Sequence, residues 1–328
     1  MDWSRHRVLV TGAAGFIASH TCQALLARGA TVIGLDDFDA YYPRPFKERT
    51  LAEIRKTPGA DDRFAFVEAD ICDATAMNQL FSDEQLTGVI HLAARAGVRP
   101  SLEQPKRYAQ VNLEGTTILM EAARRANVKR FIMASSSSVY GNNEKVPFAE
   151  TDDVSSPISP YAASKRACEL MGHVFHHLYD MEIACLRFFT VFGPRQRPDL
   201  AIAKFIEIIR RDQTIPMFGD GTTSRDYTYI DDIVAGVVAS YEKVPDYGYR
   251  IWNLGGNDPV NLKEMIATIG RVLGKEPRVE QREMQAGDVS RTYADLTRST
   301  AELGYKPTTS FEEGVRRQWN WAREHLAG

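Results

Sequence analysis

The stretch VTGAAGFIASH, residues 10–20, is the segment that most clearly indicates how this chain folds. It places Gly12, Gly15 and Ala18 where a strand-like run passes into a helix-like one, with the spacing G-x-x-G-x-x-A. The first glycine permits a tight turn, the second lets backbone amides approach a pyrophosphate, and the small third residue lets the helix pack on the sheet. The exposed amides and the helix dipole favour phosphate groups. The stretch therefore predicts a dinucleotide-binding turn.

Short apolar runs alternate with longer amphipathic ones through much of the chain. Strands that are nearly continuously apolar and separated by helices are typical of a parallel sheet covered on both faces. We therefore predict the α/β class, a Rossmann-type doubly wound parallel sheet with a smaller, mostly helical substrate-binding lobe. The predicted strands are 7–12, 31–36, 64–70, 88–94, 130–136, 182–189 and 249–256. The dinucleotide-binding domain is predicted over 1–187 and 227–257, and the lobe over 188–226 and 258–328.

Composition and charge exclude several classes of protein. Among the 328 residues, 40 lysines and arginines nearly balance 43 acids, so no basic field favours nucleic acid or an anionic membrane. No stretch approaches the ~18 uninterrupted apolar residues of a membrane span, and the charged N-terminus does not resemble a signal peptide. The four cysteines form no C-x-x-C pair, which suits a reducing compartment. We expect a cytoplasmic protein.

Three histidines on one predicted helix raise the question of a metal site. His173, His176 and His177 have the spacing at which helical pairs can bind zinc. No carboxylate or cysteine nearby completes the set, so we predict no metal.

Asp36, at the end of the second predicted strand, indicates which dinucleotide binds. A carboxylate there accepts hydrogen bonds from both adenosine ribose hydroxyls and repels a 2′-phosphate. Asp37 adds to that repulsion, so the sequence predicts NAD rather than NADP as the cofactor. Asp70, at the end of the third strand, lies where an adenine contact would fall, although a solvated strand end explains it almost as well.

The segment SPYAASK carries the candidate catalytic pair, Tyr161 and Lys165. Pro160 suits the first turn of a helix, and the i to i+4 spacing puts both side chains on one face. Free tyrosine loses its proton only near pH ~10, but a neighbouring ammonium and a positive nicotinamide ring favour the phenolate. We predict that Tyr161 is a general base.

These motifs resemble the extended short-chain dehydrogenase/reductase family, and the resemblance covers nearly the whole chain. It rests on TGAAGFIASH, HLAARAGVRPSLEQP, VNLEGT, ASSSSVYG, SPYAASK, RFFTVFGP and SRDYTYIDD. Within the family the nucleotide-sugar 4-epimerases are the most similar. In those enzymes a tightly held NAD takes hydride from carbon 4 of the sugar while the tyrosine takes the hydroxyl proton. The 4-keto intermediate then turns over, and the hydride returns to its other face.

The resemblance assigns roles to residues of this sequence. It implies that Tyr161 is the base, that Lys165 activates it and holds the nicotinamide ribose, and that Ser136 relays or orients the proton of the 4-hydroxyl. The predicted cofactor-binding residues are Gly12, Gly15, Phe16, Ile17, Asp36, Asp70, Ile71, Leu92, Ala93, Ala94, Tyr161 and Lys165.

The residues after Ser136 distinguish members of the family. Nucleotide-sugar 4,6-dehydratases carry an Asp-Glu pair there and UDP-glucuronate decarboxylases a Ser-Glu pair, whereas this chain has Ser137 and Ser138. UDP-glucose epimerases commonly have asparagine at Thr190 and lack the Arg-Pro-Asp that begins at Arg197. The stretches RFFTVFGPRQRPD and DDFDAYYPRPFKERTL look instead like the UDP-glucuronate 4-epimerases. UDP-glucose or UDP-N-acetylglucosamine 4-epimerases remain the nearest alternative, followed by the decarboxylases and by a nonenzymatic NAD-binding regulator.

The same resemblance implies a UDP-sugar site and a homodimer. Arg197 would pair with the C6 carboxylate, because a guanidinium matches a carboxylate in shape and charge. Arg195 is interpreted as a solvated loop residue and Arg187 as structural. Helices around 112–125 and 161–178 would form the dimer. The predicted substrate-binding residues are Ser137, Ser138, Thr190, Arg197, Pro216, Phe218, Arg225, Gln285 and Asp288.

Overall fold

A computed structural model describes residues 1–283 and 290–325 of the chain. Strands β1 to β12 are Arg7–Thr11, Thr31–Asp36, Phe64–Glu68, Gly88–His91, Arg130–Ser136, Glu182–Phe188, Thr190–Phe192, Thr214–Phe218, Ser224–Tyr229, Tyr249–Leu254, Pro259–Asn261 and Arg278–Arg282. Helices α1 to α13 are Phe16–Ala27, Arg44–Arg55, Ala60–Arg63, Ala74–Asp83, Val98–Glu103, Pro105–Tyr108, Gly115–Arg125, Pro160–Tyr179, Ala201–Arg210, Ile230–Lys243, Leu262–Leu273, Thr297–Leu303 and Phe311–His325.

The central sheet confirms the predicted α/β class. It has seven strands in the order β10-β6-β5-β4-β1-β2-β3, and every neighbouring pair is parallel. Each predicted strand is present, but several end earlier than predicted, β4 at His91 rather than at residue 94. The reason is that the apolar residues just beyond a strand line the cleft at the sheet edge instead of continuing the ladder.

Both faces of the sheet are covered by helices, as continuously apolar strands predict. In β1, Val8 and Val10 belong to one buried apolar cluster, whereas Leu9 belongs to the other. This alternation follows from the period of two along a strand. The first cluster takes in buried residues of α1 and α10, and the second takes in residues of α4, α7 and α8.

A smaller set of elements lies beyond the ends of these strands. β7, β9 and β11 form one short sheet, and β8 and β12 pair as another. The sequence analysis predicted neither helix α9 nor strand β8, because both fall within 193–226, a stretch rich in prolines, glycines and arginines. Among the helices of residues 1–283 and 290–325, none is long and apolar enough to cross a membrane.

Candidate active site

A cleft of about 390 Å³ opens at the carboxyl ends of the central strands. Ligands of open α/β sheets bind at this edge, where the strand order reverses on either side of β1. The cleft is lined by the predicted catalytic and cofactor-binding residues Gly12, Gly15, Phe16, Ile17, Asp36, Asp70, Ile71, Leu92, Ala93, Ala94, Ser136, Tyr161 and Lys165. Four predicted substrate-binding residues also line it: Ser137, Ser138, Thr190 and Arg197.

The other predicted substrate-binding residues lie elsewhere. Pro216 and Phe218 are on β8 and Arg225 is on β9, and none of them lines this cleft. The ring centre of Phe218 lies 6.0 Å from the guanidinium of Arg99 on α5, the helix that begins directly after the cleft-lining Gly97. Gln285 and Asp288 fall outside the described residues.

The glycine turn has the shape of a phosphate cradle. Gly12 has φ +73°, and a Cβ there would lie 3.0 Å from the backbone of Ala93. A Cβ on Gly15 would stand 2.9 Å from the Gly12 carbonyl oxygen. Only glycine fits either position, so backbone rather than side chains lines the floor where α1 begins. These features fit the pyrophosphate of a dinucleotide.

A buried polar chain that the sequence analysis missed fixes the strand ends around this turn. The Thr11 hydroxyl oxygen accepts hydrogen bonds from the amides of Leu92 and Ala93, both at 3.1 Å. The same hydroxyl lies 2.7 Å from His91 Nδ1, and His91 Nε2 lies 2.9 Å from the Thr116 hydroxyl. Complete burial lowers the pKa of His91 to about 3, so the ring is neutral at physiological pH.

We expect the free energy of unfolding to fall on acidification below pH 6.5 because of two such histidines. Burial also lowers the pKa of His20 to about 3, from an ordinary value of 6.5. Between those values the unfolded chain binds more protons than the folded one, so each histidine removes about 1.4 kcal/mol per pH unit as the pH falls. Urea unfolding at closely spaced pH values from 7 to 5 measures the slope.

A His91→Gln variant is the control for this pH dependence. Glutamine preserves hydrogen bonding to Thr11 and Thr116 without a titrating ring, so its slope should be shallower by one histidine's contribution. An unchanged slope in the variant would contradict the assignment to His91.

Asp36 is buried at the end of β2 and is paired with a lysine. Its Oδ1 lies 3.3 Å from Lys47 Nζ and accepts a hydrogen bond from the Phe38 amide at 2.9 Å. Burial raises the pKa of Asp36, and Lys47 opposes that rise. Because Lys47 shares the carboxylate, repulsion toward a 2′-phosphate is weaker than the sequence predicts. The hydrogen-bond capacity for ribose hydroxyls remains.

Helix α8 delivers the predicted catalytic pair to the cleft. It begins at Pro160, and the Ser159 hydroxyl caps it by accepting the amide of Ala162 at 3.1 Å. Lys165 is buried, and its Nζ donates to the Ala134 carbonyl oxygen on β5 at 2.9 Å. Strand β5 thus holds Lys165 and also ends at Ser136. The Ser136 hydroxyl oxygen accepts a hydrogen bond from the amide of Ser138 at 3.1 Å.

Arg187 has the structural role that the sequence predicts. Its side chain is 1% exposed, and its Nε and Nη2 donate to the carboxylate of Glu169 at 2.8 and 2.9 Å. Glu169 also accepts the Ser135 hydroxyl at 2.7 Å. The cluster joins α8 to β5 and β6, with Glu169 one helical turn after Lys165 and Ser135 directly before Ser136. These donors hold the pKa of Glu169 below its ordinary value despite burial.

The loop after β7 presents one arginine to the cleft and packs the other against α1. Arg197 Nε and Nη2 donate to the Asp199 carboxylate at 3.0 and 2.8 Å, and its guanidinium lies 4.9 Å from the Tyr41 ring centre. The interpretation of Arg195 as a solvated loop residue is wrong. Its Nη2 donates to Gln23 Oε1 at 2.6 Å and its Nε lies 3.1 Å from His20 Nε2, so it ties the loop to α1.

Several polar residues in the cleft were missed by the sequence analysis. They come from 36–47 and from the loop after β4, and they are Asp39, Tyr41, Tyr42, Lys47 and Arg95. Asp39 accepts a hydrogen bond from Arg95, which joins the two segments across the cleft. The signal was the stretch DDFDAYYPRPFKERTL, whose aromatic and charged residues follow directly on Asp36.

A Rossmann-type sheet, a glycine turn and a Tyr-x-x-x-Lys pair on one cleft define a nucleotide-dependent enzyme of the extended short-chain dehydrogenase/reductase class. The family model described as GDP-mannose 4,6 dehydratase matches residues 9–318, and the chain belongs to this family.

Individual relatives narrow the comparison. The chain is 40% identical over 319 residues to the UDP-glucuronate 4-epimerase of Thermodesulfobacterium geofontis, covering 97% of this chain and 96% of that protein. The crystal structure of UDP-glucuronic acid 4-epimerase from Bacillus cereus, in complex with UDP-glucuronic acid and NAD, is similar with a TM-score of 0.89 and 35% identity. That match covers 97% of this chain and 99% of the other.

The structure of an enzyme with a different substrate is also similar. The UDP-glucose 4-epimerase of Thermotoga maritima, solved with UDP-glucose, matches with a TM-score of 0.87 and 32% identity. The match covers 98% of this chain and 99% of that one. Overall shape therefore does not separate the two sugars, and individual side chains must do so.

Proposed function

We propose that the protein interconverts UDP-glucuronate and UDP-galacturonate by epimerisation at carbon 4 of the sugar. The observation that carries this proposal is an arginine, Arg197, lining the same cleft as the Tyr161–Lys165 pair. A uronate differs from a neutral hexose by its carboxylate, and a guanidinium is the side chain that best matches that group. The UDP-glucuronate 4-epimerases among the relatives support the same substrate.

The cofactor is NAD. The glycine turn with Phe16 and Ile17 would hold its pyrophosphate, Asp36 its adenosine ribose, and Lys165 its nicotinamide ribose. NAD supplies the hydride acceptor and donor for oxidation and reduction at carbon 4. The neighbouring structures solved with NAD support the assignment.

The side chains of the protein supply the acid–base chemistry and hold the sugar. Tyr161 takes the proton of the 4-hydroxyl during oxidation and returns it after the sugar turns over, with Ser136 orienting that hydroxyl. The ammonium of Lys165, fixed by the Ala134 carbonyl, would stabilise the negative charge that develops on the Tyr161 oxygen as the proton is transferred. Arg197 and Thr190 hold the C6 carboxylate, assisted by Ser137 and Ser138.

Holding the carboxylate also protects the intermediate. A 4-ketouronate is a β-keto acid and loses carbon dioxide when its C5–C6 bond stands perpendicular to the plane of the C4 ketone. Arg197 holds the carboxylate away from that orientation. The absence of an acidic residue at Ser137 and Ser138 further disfavours decarboxylation, because the decarboxylases carry a glutamate there.

Proton NMR of the purified protein with UDP-glucuronate and no added NAD tests the proposal. UDP-galacturonate should accumulate without net NADH or carbon dioxide, because the hydride returns to the same sugar. A UDP-pentose product would identify a decarboxylase. No turnover of UDP-glucuronate combined with turnover of UDP-glucose would overturn the assignment to a uronate.

An Arg197→Ala variant is expected to raise KM for UDP-glucuronate on the order of 100-fold, because two charge-assisted hydrogen bonds to the carboxylate are lost. A UDP-pentose should also appear by NMR, because the C5–C6 bond is no longer held away from alignment with the C4 carbonyl. Arg197→Lys keeps the charge but not the planar donor pair, so its KM for UDP-glucuronate should lie between those of Arg197→Ala and wild type. Full affinity in Arg197→Ala would contradict the role of Arg197.

The UDP end of the substrate is proposed to bind the smaller lobe, 188–226 and 258–328. Pro216 and Phe218 on β8 would contact uracil, and Arg225 on β9 would contact the pyrophosphate. The Arg99–Phe218 contact supports this placement, because it joins β8 to α5, the helix that begins directly after the cleft-lining Gly97. Gln285 is proposed to contribute to the pyrophosphate contact, and Asp288 to contact the uridine ribose.

We also propose that the protein is a cytoplasmic homodimer. Leu170, Val174 and Leu178 are exposed on α8 with spacing that puts them on one face of the helix. An apolar face of this kind supports packing against a second copy through 161–178 and 112–125. All four cysteines are free thiols, which supports a reducing compartment.

A further inference from the structure

Arg197 has two hydrogen-bonding edges, and one of them is already occupied. Its Nε and Nη2 donate to the two oxygens of Asp199, at 3.0 and 2.8 Å. Its Nη1 makes no hydrogen bond to any residue in 1–283 or 290–325. A guanidinium can hold one carboxylate along its Nε–Nη2 edge and another along its Nη1–Nη2 edge. Asp199 therefore leaves the second edge available.

The positions of the two side chains suit a clamp from outside the cleft. Arg197 is 16% exposed and lines the cleft, whereas Asp199 is 42% exposed and does not line it. Pro198 between them fixes one backbone torsion and limits their relative movement. The Tyr41 ring, which also lines the cleft, lies 4.9 Å from the Arg197 guanidinium and supports its face.

We propose that Asp199 is a positioning residue for the uronate carboxylate. It holds the Nε–Nη2 edge of Arg197, so that the Nη1–Nη2 edge meets the C6 carboxylate in a fixed plane. This inference rests on the proposed function. Asp199 does not compete with the substrate, because each carboxylate uses a different edge of the guanidinium.

A fixed guanidinium plane has a chemical consequence for the 4-keto intermediate. In the side reaction the C5–C6 bond breaks, its electron pair passes to the C4 carbonyl as an enolate, carbon dioxide leaves, and the enolate takes a proton. That bond breaks readily only when it is aligned with the carbonyl π system. Loosening the guanidinium should therefore increase the share of UDP-pentose products as well as weaken substrate binding.

Asp199→Ala and Asp199→Asn variants of the full chain test the proposal. Initial rates with UDP-glucuronate should show KM raised roughly tenfold in Asp199→Ala and less in Asp199→Asn, with kcat within about threefold of wild type. NMR should show a measurable UDP-pentose fraction in Asp199→Ala. Any turnover of UDP-glucose should be unaffected, because that sugar has no carboxylate.

A double-mutant cycle separates positioning from a general structural role. In an Arg197→Ala background, Asp199→Ala should change KM by less than about twofold, because the interaction it supports is already gone. The matched control is Asp246→Asn, which removes an exposed carboxylate paired with Lys243 at 3.6 Å, just before β10 begins. Its KM and product composition should equal those of wild type. Urea unfolding should find both Asp199 variants close to wild type in stability.

Three outcomes would overturn the proposal. Unchanged KM and product composition in Asp199→Ala would show that Arg197 needs no support. A lower KM would show that Asp199 competes with the substrate. An equal further loss in the Arg197→Ala background would place its effect elsewhere. Wild-type protein is measured first, so its failure to turn over UDP-glucuronate would identify the proposed function itself as wrong.

Discussion

A Tyr161→Phe variant is expected to lose about 10³-fold in kcat, because it removes the group that takes and returns the proton of the 4-hydroxyl. The ring still packs, so its edge-on contact with Tyr108, at 6.1 Å between ring centres, should persist. KM should change little, because the lost interaction belongs to the transition state rather than to substrate binding. Single-turnover and steady-state rates with UDP-glucuronate measure the effect.

The control for this variant is Tyr108→Phe. Tyr108 donates its phenolic hydrogen to the Ala96 carbonyl oxygen at 2.9 Å and stands beside Tyr161 in the fold. Loss of the Tyr108 hydroxyl should lower kcat far less than loss of the Tyr161 hydroxyl, because Tyr108 performs no proton transfer. Wild-type turnover in Tyr161→Phe would show that Tyr161 is not the base, whereas an intact biological effect in this variant would favour a nonenzymatic NAD-binding regulator.

Glu169→Ala is expected to lower the free energy of unfolding by about 3–5 kcal/mol, because it leaves the buried guanidinium of Arg187 without its counter-charge. Glu169 is 0% exposed and Arg187 1%, so water does not replace the lost partner. Urea unfolding at pH 7 measures the change. Glu169→Gln should lose less, because the amide oxygen still accepts one hydrogen bond.

Glu313→Gln provides the comparison for an exposed ion pair. Glu313 accepts hydrogen bonds from Arg316 and Arg317 on the surface of α13. Its replacement should leave the free energy of unfolding nearly unchanged, because water screens exposed pairs. Similar losses in Glu169→Ala and Glu313→Gln would contradict the importance of burial at Glu169.

The sequence by itself predicted the parts of the protein that local patterns specify. Alternation of apolar strands with helices gave the doubly wound sheet, and the glycine spacing gave the turn in which only glycine fits at Gly12 and Gly15. Tyr161 and Lys165 are four residues apart on α8, so helix geometry alone places them on one face. Each of these features depends on neighbours within a few residues, so periodicity and spacing are enough to find it.

The pairing of charged residues depends on how the helices and strands pack in three dimensions. Lys47 and Asp36 form a buried pair between α2 and the end of β2, and Arg195 reaches His20 and Gln23 on α1. Local sequence patterns cannot predict such contacts, because the packing of whole helices and strands brings the partners together. Burial also separates the roles of two arginines. Arg187 is 1% exposed and holds a buried carboxylate, whereas Arg197 is 16% exposed and lines the cleft.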